Sequence, residues 1–215
     1  MRRGADMQQR KFIALRGSVT AMPFAVRAQQ RAAKSVYWED VMRVHVAMLA
    51  TAMVVVFTGT ARADNVTVNA ISASGVGKVI GTVGLSDASE GLVVMPDLSE
   101  LPPGDHGFHI HVNPDCGPGA GPDGQPAAGL AAGGHFDPAS TGKHLGPRGQ
   151  GHKGDLPALR VDAGGNAMTA VIAPNLKLAD VKGRSIMIHA GGDNYSDQPA
   201  ALGGGGARIA CGVVK

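Results

Sequence analysis

Three histidines lie on two short apolar segments whose spacing suits binding of one metal ion. The segment Gly-Phe-His-Ile-His places His109 and His111 two residues apart, and alternate residues of a β-strand point to the same face. Phe108 and Ile110 then face the opposite way, into a hydrophobic core. The segment Ser-Ile-Met-Ile-His-Ala has the same alternation and places His189 on the face away from the core. The two segments therefore predict strands that present three outward imidazoles.

A glycine-rich stretch between these two segments supplies four more ligand-type residues: His135, His144, His152 and Asp155. Imidazole nitrogens mixed with a carboxylate suit zinc or copper, whereas calcium and magnesium prefer oxygen ligands. Three histidines and one aspartate are enough for a closed tetrahedral site. Seven candidate ligands in all are too many for one ion, so the pattern favours two metal sites. His135 is a candidate for both, because an imidazolate can bind through both ring nitrogens.

The segments that must position these ligands alternate with period 2, which is the pattern of β-strands. Eight strands are predicted, at residues 66–71, 76–85, 91–95, 107–112, 159–162, 167–173, 185–190 and 208–214. Eight short strands without a convincing helix predict an all-β fold, an antiparallel sandwich or barrel. Residues 113–157 and 191–207 are too long for ordinary turns, and loops of this length are usually functional or disordered. The histidines favour function in the first.

The composition argues against a helical bundle and against a nucleic-acid partner. The 215 residues include 32 glycines and only 4% aromatic residues, which favours short strands joined by turns. The net charge is +3, but residues 1–63 hold ten basic and three acidic residues. Residues 64–215 therefore carry a net charge of −4, and nucleic-acid binding loses its main support.

Two other features of the sequence are not assigned a function. His106 has no partner in the histidine pattern and is expected at the surface. The glycine run at 203–206 lacks the Lys and Ser or Thr of a phosphate-binding loop.

The first 63 residues have the order of a secretory leader. Arg43 precedes an apolar stretch at 44–57, and small residues follow, ending in Ala-Arg-Ala at 61–63; this is the order of a signal peptide. The stretch is shorter than the roughly 20 residues that cross a bilayer. We expect cleavage after Ala63, with residues 64–215 as the mature domain and no stable membrane insertion. Residues 1–41 precede Met42, which would itself start a conventional signal peptide, and are expected to be an upstream mis-start or to be lost with the signal. A buried or amphipathic helix is the alternative for the apolar stretch.

Taken in order, six motifs of residues 64–215 resemble the copper/zinc superoxide dismutase family: GFHIH, GGHFDP, GKHLGP, GHKGDLP, IMIHAGGDN and GGGGARIACGV. The lengths of the segment from Cys116 to His135 and of the 191–207 loop resemble the bacterial periplasmic branch, which agrees with the leader. The resemblance implies an eight-stranded antiparallel Greek-key β-barrel, an immunoglobulin-like sandwich, with two long functional loops. It also implies one copper and one zinc ion per subunit and a periplasmic location.

The resemblance assigns the ligands residue by residue. Copper would be bound by His109, His111, His135 and His189, and zinc by His135, His144, His152 and Asp155. Asp193 matches the family's carboxylate that hydrogen-bonds one ligand histidine from each site and so fixes ring orientation. Arg208 stands at the substrate-guiding position, where a guanidinium attracts and orients an anion without itself titrating. Cys116 and Cys211 match the family's intrasubunit disulfide, which an oxidising compartment permits.

The reaction that the resemblance implies is the dismutation of two superoxide anions to O2 and H2O2, in antioxidant defence outside the cytoplasm. Copper would perform the redox step, because zinc cannot change its oxidation state. His135 and Arg208 would be the catalytic residues, with His135 taking up a proton. Lys143, Arg148 and Lys153 are candidates for a positive rim that steers superoxide. The enzyme would be a monomer or a homodimer.

Two alternatives from other functional classes stay open on the sequence. A non-enzymatic copper or zinc carrier would need neither Arg208 nor a shared ligand. A zinc hydrolase with an HxHxDH motif is disfavoured, because Asn113 and Pro114 occupy the positions of its Asp and second-site His.

Overall fold

The computed structural model of the protein describes residues 63–215. The predicted leader, with its apolar stretch at 44–57, lies outside the described residues. In the described part, no helix is long and apolar enough to cross a membrane.

Eleven strands, mostly short, form the described part of the chain: β1 Asp64–Ser72, β2 Gly75–Ala88, β3 Gly91–Leu98, β4 Gly104–His106, β5 Phe108–His111, β6 Gly119–Ala120, β7 Pro126–Ala127, β8 Leu159–Val161, β9 Val171–Ala173, β10 Arg184–His189 and β11 Arg208–Val214. Seven of them make one sheet in the order β5-β10-β11-β1-β2-β3-β9. Two further pairs, β4 with β8 and β6 with β7, form two-stranded sheets. All the pairings are antiparallel.

The connections make this curled sheet an all-β Greek-key barrel, as predicted. β1, β2 and β3 follow one another as antiparallel neighbours, and the chain returns at its end to place β11 beside β1. Such a return of a late strand to the first one is the Greek-key arrangement. The chain also crosses from β3 to β5 at the far edge of the sheet. The ends of β5 and β10 thereby come to lie next to each other.

Each of the eight predicted strands coincides with an observed one, and the differences are small. The predicted strand at 167–173 is regular only over Val171–Ala173, while Ala167 makes an isolated bridge to Leu98. β4, β6 and β7 were not predicted, because two or three residues show no periodicity. One short helix, α1 at Leu178–Val181, was also not predicted, because it is only four residues long.

The main core lies on one face of the site-bearing strands. Phe108 and Ile110 of β5 and Ile186 and Ile188 of β10 belong to one cluster and are fully buried. The opposite face of these strands was expected to be outward. It is buried as well, because the long loops cover it: Met187 of β10 is fully buried. The strands can therefore hold their histidines away from water.

A disulfide joins Cys116 to Cys211 across a sequence separation of 95 residues. It lies in a second apolar cluster with Ile71, Ala132 and Met187. In the chain-entropy account, closing a loop of about 100 residues stabilises the folded state by roughly 4 to 5 kcal/mol. The bridge thereby ties the beginning of the first long loop to β11.

Candidate metal centre

Four histidines converge where β5 and β10 lie side by side. His109 and His111 are on β5, and His189 ends β10. The pairing of these strands is fixed by backbone hydrogen bonds, with His109 opposite Met187. The first long loop adds His135, which makes an antiparallel bridge to His111. One ligand nitrogen from each of the four buried histidines lies within 4.8 Å of the others.

A second group of ligand-type side chains adjoins the first. His135, His144 and Asp155 lie with His109 in a cluster whose ligand atoms are within 4.8 Å of one another. His135 Nδ1 is 3.1 Å from Asp155 Oδ1, and His144 Nδ1 is 3.0 Å from Asp155 Oδ2. His152 stands beside this cluster, with its Nδ1 3.6 Å from Asp155 Oδ1. The seven predicted ligands thus come together in space.

His135 is the residue that the two groups share. Its ring is stacked on that of His109 with the centroids 3.9 Å apart. On its other side the ring centroid of His152 lies 5.2 Å away. The two groups are therefore adjoining and meet at one imidazole.

Four buried ring nitrogens in this centre make no hydrogen bond: His109 Nδ1, His135 Nε2, His144 Nδ1 and His152 Nδ1. Those of His144 and His152 lie 3.0 and 3.6 Å from oxygens of Asp155, but without the geometry of a hydrogen bond. A buried polar atom without a hydrogen bond costs about 1 to 3 kcal/mol, so several such nitrogens within two adjoining groups of ligand-type side chains are typical of metal sites. The residues present fit two metal ions of the kind that imidazole and carboxylate bind.

Backbone carbonyls hold the other two histidines of the four-histidine group, His111 and His189. His111 Nδ1 donates to the carbonyl of Gly133 at 2.9 Å, and His189 Nδ1 donates to the carbonyl of Gly206 at 3.1 Å. These bonds leave the Nε2 atoms of His111 and His189 facing each other at 3.4 Å. A ligand imidazole commonly donates its second N–H to an acceptor in this way, which fixes its tautomer and orientation.

Asp193 links the two groups of ligands through their outer nitrogens. Its Oδ2 accepts from His109 Nε2 at 2.8 Å, and its Oδ1 accepts from His144 Nε2 at 2.7 Å. The backbone N–H of Tyr195 donates to the same Oδ1 at 2.8 Å. The position of Asp193 agrees with the role predicted for it, in which one carboxylate orients a histidine from each site.

Burial keeps most of these imidazoles neutral. Loss of hydration lowers the pKa of His135 to about 4 and that of His189 to about 3, and it also lowers the pKa of His109 and of His111. For His144, burial alone would lower the pKa, but the carboxylates of Asp155 and Asp193 raise it to about 9. The neutral form is the one that binds a metal ion.

The two carboxylates are ionised for a complementary reason. Burial by itself would raise the pKa of Asp155 and of Asp193, but the hydrogen bonds from their histidines outweigh it and lower both pKa values. Apart from His144, whose pKa is raised, the buried imidazoles with lowered pKa values are neutral and stand beside two fixed negative charges.

Arg208 lies at the edge of the four-histidine group and is held rigidly. Its two terminal nitrogens donate to the carbonyls of Gly129 at 2.6 Å and Gly133 at 2.8 Å. The Gly133 carbonyl is the same one that accepts from His111. Arg208 is also the cross-strand partner of His189. Burial lowers its pKa from 12.5, but a guanidinium stays charged in proteins.

The expectation for His106 was wrong. The side chain is 2% exposed, and its two ring nitrogens lie 2.7 Å from the carbonyl oxygens of His189 and Pro102. It therefore packs beneath the last residue of β10. A sequence pattern could not show this, because both partners are backbone atoms that are close only in the folded chain.

The loop at 191–207 also contributes more than the sequence indicated. Sequence reasoning singled out only Asp193 there, whereas Asp197 and the glycine run contact the ligand histidines as well. Of the three candidate steering cations, Lys153 makes an ion pair with Asp180 at 2.7 Å. Its charge is thereby partly neutralised.

The similarity of this chain to known proteins identifies its family. Residues 79–214 match the model of the family described as copper/zinc superoxide dismutase. The chain belongs to the copper/zinc superoxide dismutase family. The Cu-Zn superoxide dismutase of Escherichia coli K12 is 53% identical over 169 residues, which cover 78% of this chain and 97% of the relative.

Solved structures of the family agree in fold. The Cu/Zn superoxide dismutase from Brucella abortus is 52% identical, with a TM-score of 0.70 over 72% of this chain and 100% of the other. The monomeric copper, zinc superoxide dismutase from Salmonella enterica is 55% identical, with a TM-score of 0.65 over the same shares. The protein is therefore a superoxide dismutase that uses copper and zinc. The carrier and hydrolase alternatives are set aside.

Proposed function

We propose that copper is held by His109, His111, His135 and His189, and zinc by His135, His144, His152 and Asp155. The observation that carries this assignment is the set of buried, unpartnered nitrogens on His109, His135, His144 and His152. The hydrogen bonds to the outer nitrogens of His109, His111, His144 and His189 support it, because they fix the orientation of these four rings.

The reaction at this centre converts two superoxide anions and two protons into O2 and H2O2. Copper supplies one-electron exchange with superoxide, and zinc supplies a fixed positive charge that organises the loop. His135 stands between the two sites, and its Nε2 is the unpartnered nitrogen that holds one proton and delivers it to the forming peroxide. The second proton comes from solvent. His135 is therefore both a shared ligand and a proton donor.

Arg208 guides the substrate to the copper side of this centre. The two carbonyl acceptors on Gly129 and Gly133 fix the plane of its guanidinium. A fixed guanidinium offers charge and directed N–H donors to a small anion, which a lysine ammonium orients less well. The Gly133 carbonyl accepts from both Arg208 and His111, so it fixes the position of the guanidinium relative to the His111 ring.

The experiment that tests the assignment measures metal content, superoxide turnover and copper EPR on one preparation. We expect one copper and one zinc per chain together with turnover. Removal of zinc should change the EPR spectrum of the bound copper, since His135 is shared. A copper spectrum that is the same with and without zinc would contradict the shared ligand.

The protein acts outside the cytoplasm, in the periplasm, after cleavage behind Ala63. The order of charge, apolar stretch and small residues in the leader supports this, as does the Cys116–Cys211 disulfide, which persists in oxidising compartments. The intact mass of the exported protein tests it: a mature chain that begins before Asp64 contradicts the cleavage site.

The mature enzyme is a monomer or a homodimer. The Salmonella enterica relative is described as monomeric, which supports the first possibility. Sedimentation of the metal-loaded protein over a range of concentrations distinguishes the two.

A further inference from the structure

Asp197 connects the second long loop to a ligand histidine of the first. Its Oδ2 accepts from the backbone N–H of His144 at 2.9 Å. Its Oδ1 accepts from the backbone N–H of Leu202 at 3.2 Å. His144 lies in no strand, so its backbone has no sheet to hold it. One carboxylate therefore fixes the main chain of His144 and the beginning of the glycine turn, which we define as residues 202–206.

The glycine turn also packs against a ligand histidine of each group, His144 and His189. A Cβ atom at Gly203 would overlap Asp193 Oδ1 and lie 2.8 Å from His144 Nε2. A Cβ atom at Gly205 would lie 3.2 Å from Cβ of His189. The φ angle of Gly203 is 72°, in the left-handed region that favours glycine. Gly203 and Gly205 can approach these side chains so closely only because they carry no side chains of their own.

The end of the turn is bonded to the histidine on β10. The carbonyl of Gly206 accepts from His189 Nδ1 at 3.1 Å, and the N–H of Gly191 donates to the carbonyl of Gly205 at 2.8 Å. A continuous path of contacts thus runs from His144 through Asp197 and the glycine turn to His189. Its hydrogen bonds differ from those of Asp193, whose oxygens accept from the rings of His109 and His144, and the two paths touch where Gly203 packs against Asp193 Oδ1.

We propose that Asp197 is a positioning residue that couples the zinc ligand His144 to the copper ligand His189 through the glycine turn. This inference rests on the ligand assignment proposed above. Asp197 is not one of the assigned ligands. It acts through its two carboxylate oxygens, which accept from the backbone N–H groups of His144 and Leu202. Outer hydrogen bonds of this kind hold ligands in place, and their loss commonly lowers metal affinity about 10- to 100-fold.

The test uses the mature chain loaded with copper alone, so that loss of zinc does not itself alter the copper signal. The copper EPR spectrum is recorded first, and zinc is then titrated into the same sample against a chromophoric chelator. For Asp197→Ala we expect a zinc affinity about tenfold or more below that of the wild type. We also expect a shifted copper hyperfine splitting, because the glycine turn no longer holds His189 through the carbonyl of Gly206.

Asp162→Ala is the matched control. Asp162 is also a carboxylate that accepts two backbone N–H bonds, from Gly164 at 2.8 Å and Asn166 at 2.9 Å. It closes the turn after β8, and these bonds lie within its own loop. This variant should leave both the copper spectrum and the zinc affinity unchanged.

Asp197→Asn keeps the proposal testable if the alanine variant fails to fold. An amide has only one acceptor oxygen, so it keeps one of the two bonds, and an intermediate loss of zinc affinity is expected. Wild-type zinc affinity in a folded Asp197 variant would overturn the inference. So would a lowered zinc affinity with an unchanged copper spectrum, because the coupling to His189 would then be missing.

His144→Ala separates a failure of this inference from a failure of the ligand assignment. If His144→Ala binds zinc as the wild type does, the assignment of zinc to this residue is wrong. If His144→Ala loses zinc while both Asp197 variants match the wild type, the assignment stands and Asp197 has no positioning role.

Discussion

The strand-borne and loop-borne halves of the metal centre are positioned by different kinds of interaction. His109, His111 and His189 lie on β5 and β10, whose pairing is set by backbone hydrogen bonds and by the core beneath. His144, His152 and Asp155 lie in a loop: two carboxylates and a glycine contact hold His144, while isolated backbone bonds to Lys143 and His109 hold His152 and Asp155. The first half therefore takes its geometry from the sheet, whereas the second depends on isolated contacts outside it.

The largest effect is expected for the residue that joins the two halves. His135→Ala removes the shared imidazole and its proton, and proton transfer by a positioned side chain contributes about 10²- to 10⁴-fold to a rate. Turnover should therefore fall at least about hundredfold, and zinc should no longer alter the copper EPR spectrum. A variant that retains the response of copper to zinc would show that the halves are coupled by another route.

Asp193→Asn should weaken the loop-borne half more than the strand-borne half. Asn has one acceptor oxygen, so it cannot satisfy the N–H groups of both His109 and His144. We expect zinc affinity to fall about 10- to 100-fold and copper affinity to fall less, since β5 still holds His109. Chelator competition for each metal measures this. Equal losses for both metals would contradict the proposed difference between the halves.

Arg208→Ala should leave both halves loaded and slow the reaction. The guanidinium is not among the proposed ligands, but it is a fixed cation beside the proposed copper ligands His111 and His189. Loss of charge-assisted bonds worth about 1.5 to 3 kcal/mol corresponds to a fall of about tenfold or more in kcat/KM. Metal content and copper EPR serve as controls, with Arg160→Ala, an exposed residue of β8, as the matched variant. Wild-type turnover at physiological salt would exclude the guiding role.

The metal-free centre should make the fold sensitive to acid. In the unfolded chain a histidine has a pKa near 6.5, whereas burial lowers the pKa of His135 to about 4 and of His189 to about 3. The unfolded chain therefore binds more protons between pH 6.5 and about 4, so stability is full above 6.5 and decreases as the pH falls through this range.

The contribution of His144 to stability depends on pH in the opposite direction. Because the pKa of His144 is raised to about 9, its contribution is full below pH 6.5 and is lost as the pH rises through 9. Thermal unfolding of the metal-free protein between pH 4 and 8 tests the acid side, and the metal-loaded protein is the comparison. If the unfolding temperature of the metal-free protein does not decrease as the pH is lowered from 6.5 to 4.5, the direction of the pKa shifts of His135 and His189 is contradicted.

The smallest effect is expected from the steering charges around the loop-borne half. Residues 64–215 carry a net charge of −4, so attraction of superoxide must be local. Lys143→Ala should lower kcat/KM roughly twofold and reduce its dependence on salt. Lys153→Ala should have less effect, because Lys153 pairs with Asp180. A rate that does not fall with rising ionic strength would remove steering from the account.

The strand-borne half was the more predictable from sequence. Period-2 alternation places His109 and His111 on one face, and the structure has this arrangement on β5. The expectation that this face is outward missed its burial, since Met187 and the histidines lie beneath loops. The position of His106 was missed for a related reason: its partners are carbonyl oxygens of residues 83 positions and four positions away.

The amino-acid sequence determined which residues have the chemistry of ligands, which strands carry three of them, and which two cysteines can pair. These follow from side-chain type and from the two-residue repeat of a strand, both of which are local properties. Only the tertiary structure decided how the loop ligands meet the strand ligands at His135, and which acceptors hold each ring. The physical reason is that a loop has no repeat of its own, so its path depends on contacts such as those of Asp193, Asp197 and the glycine turn, which exist only once the chain has folded.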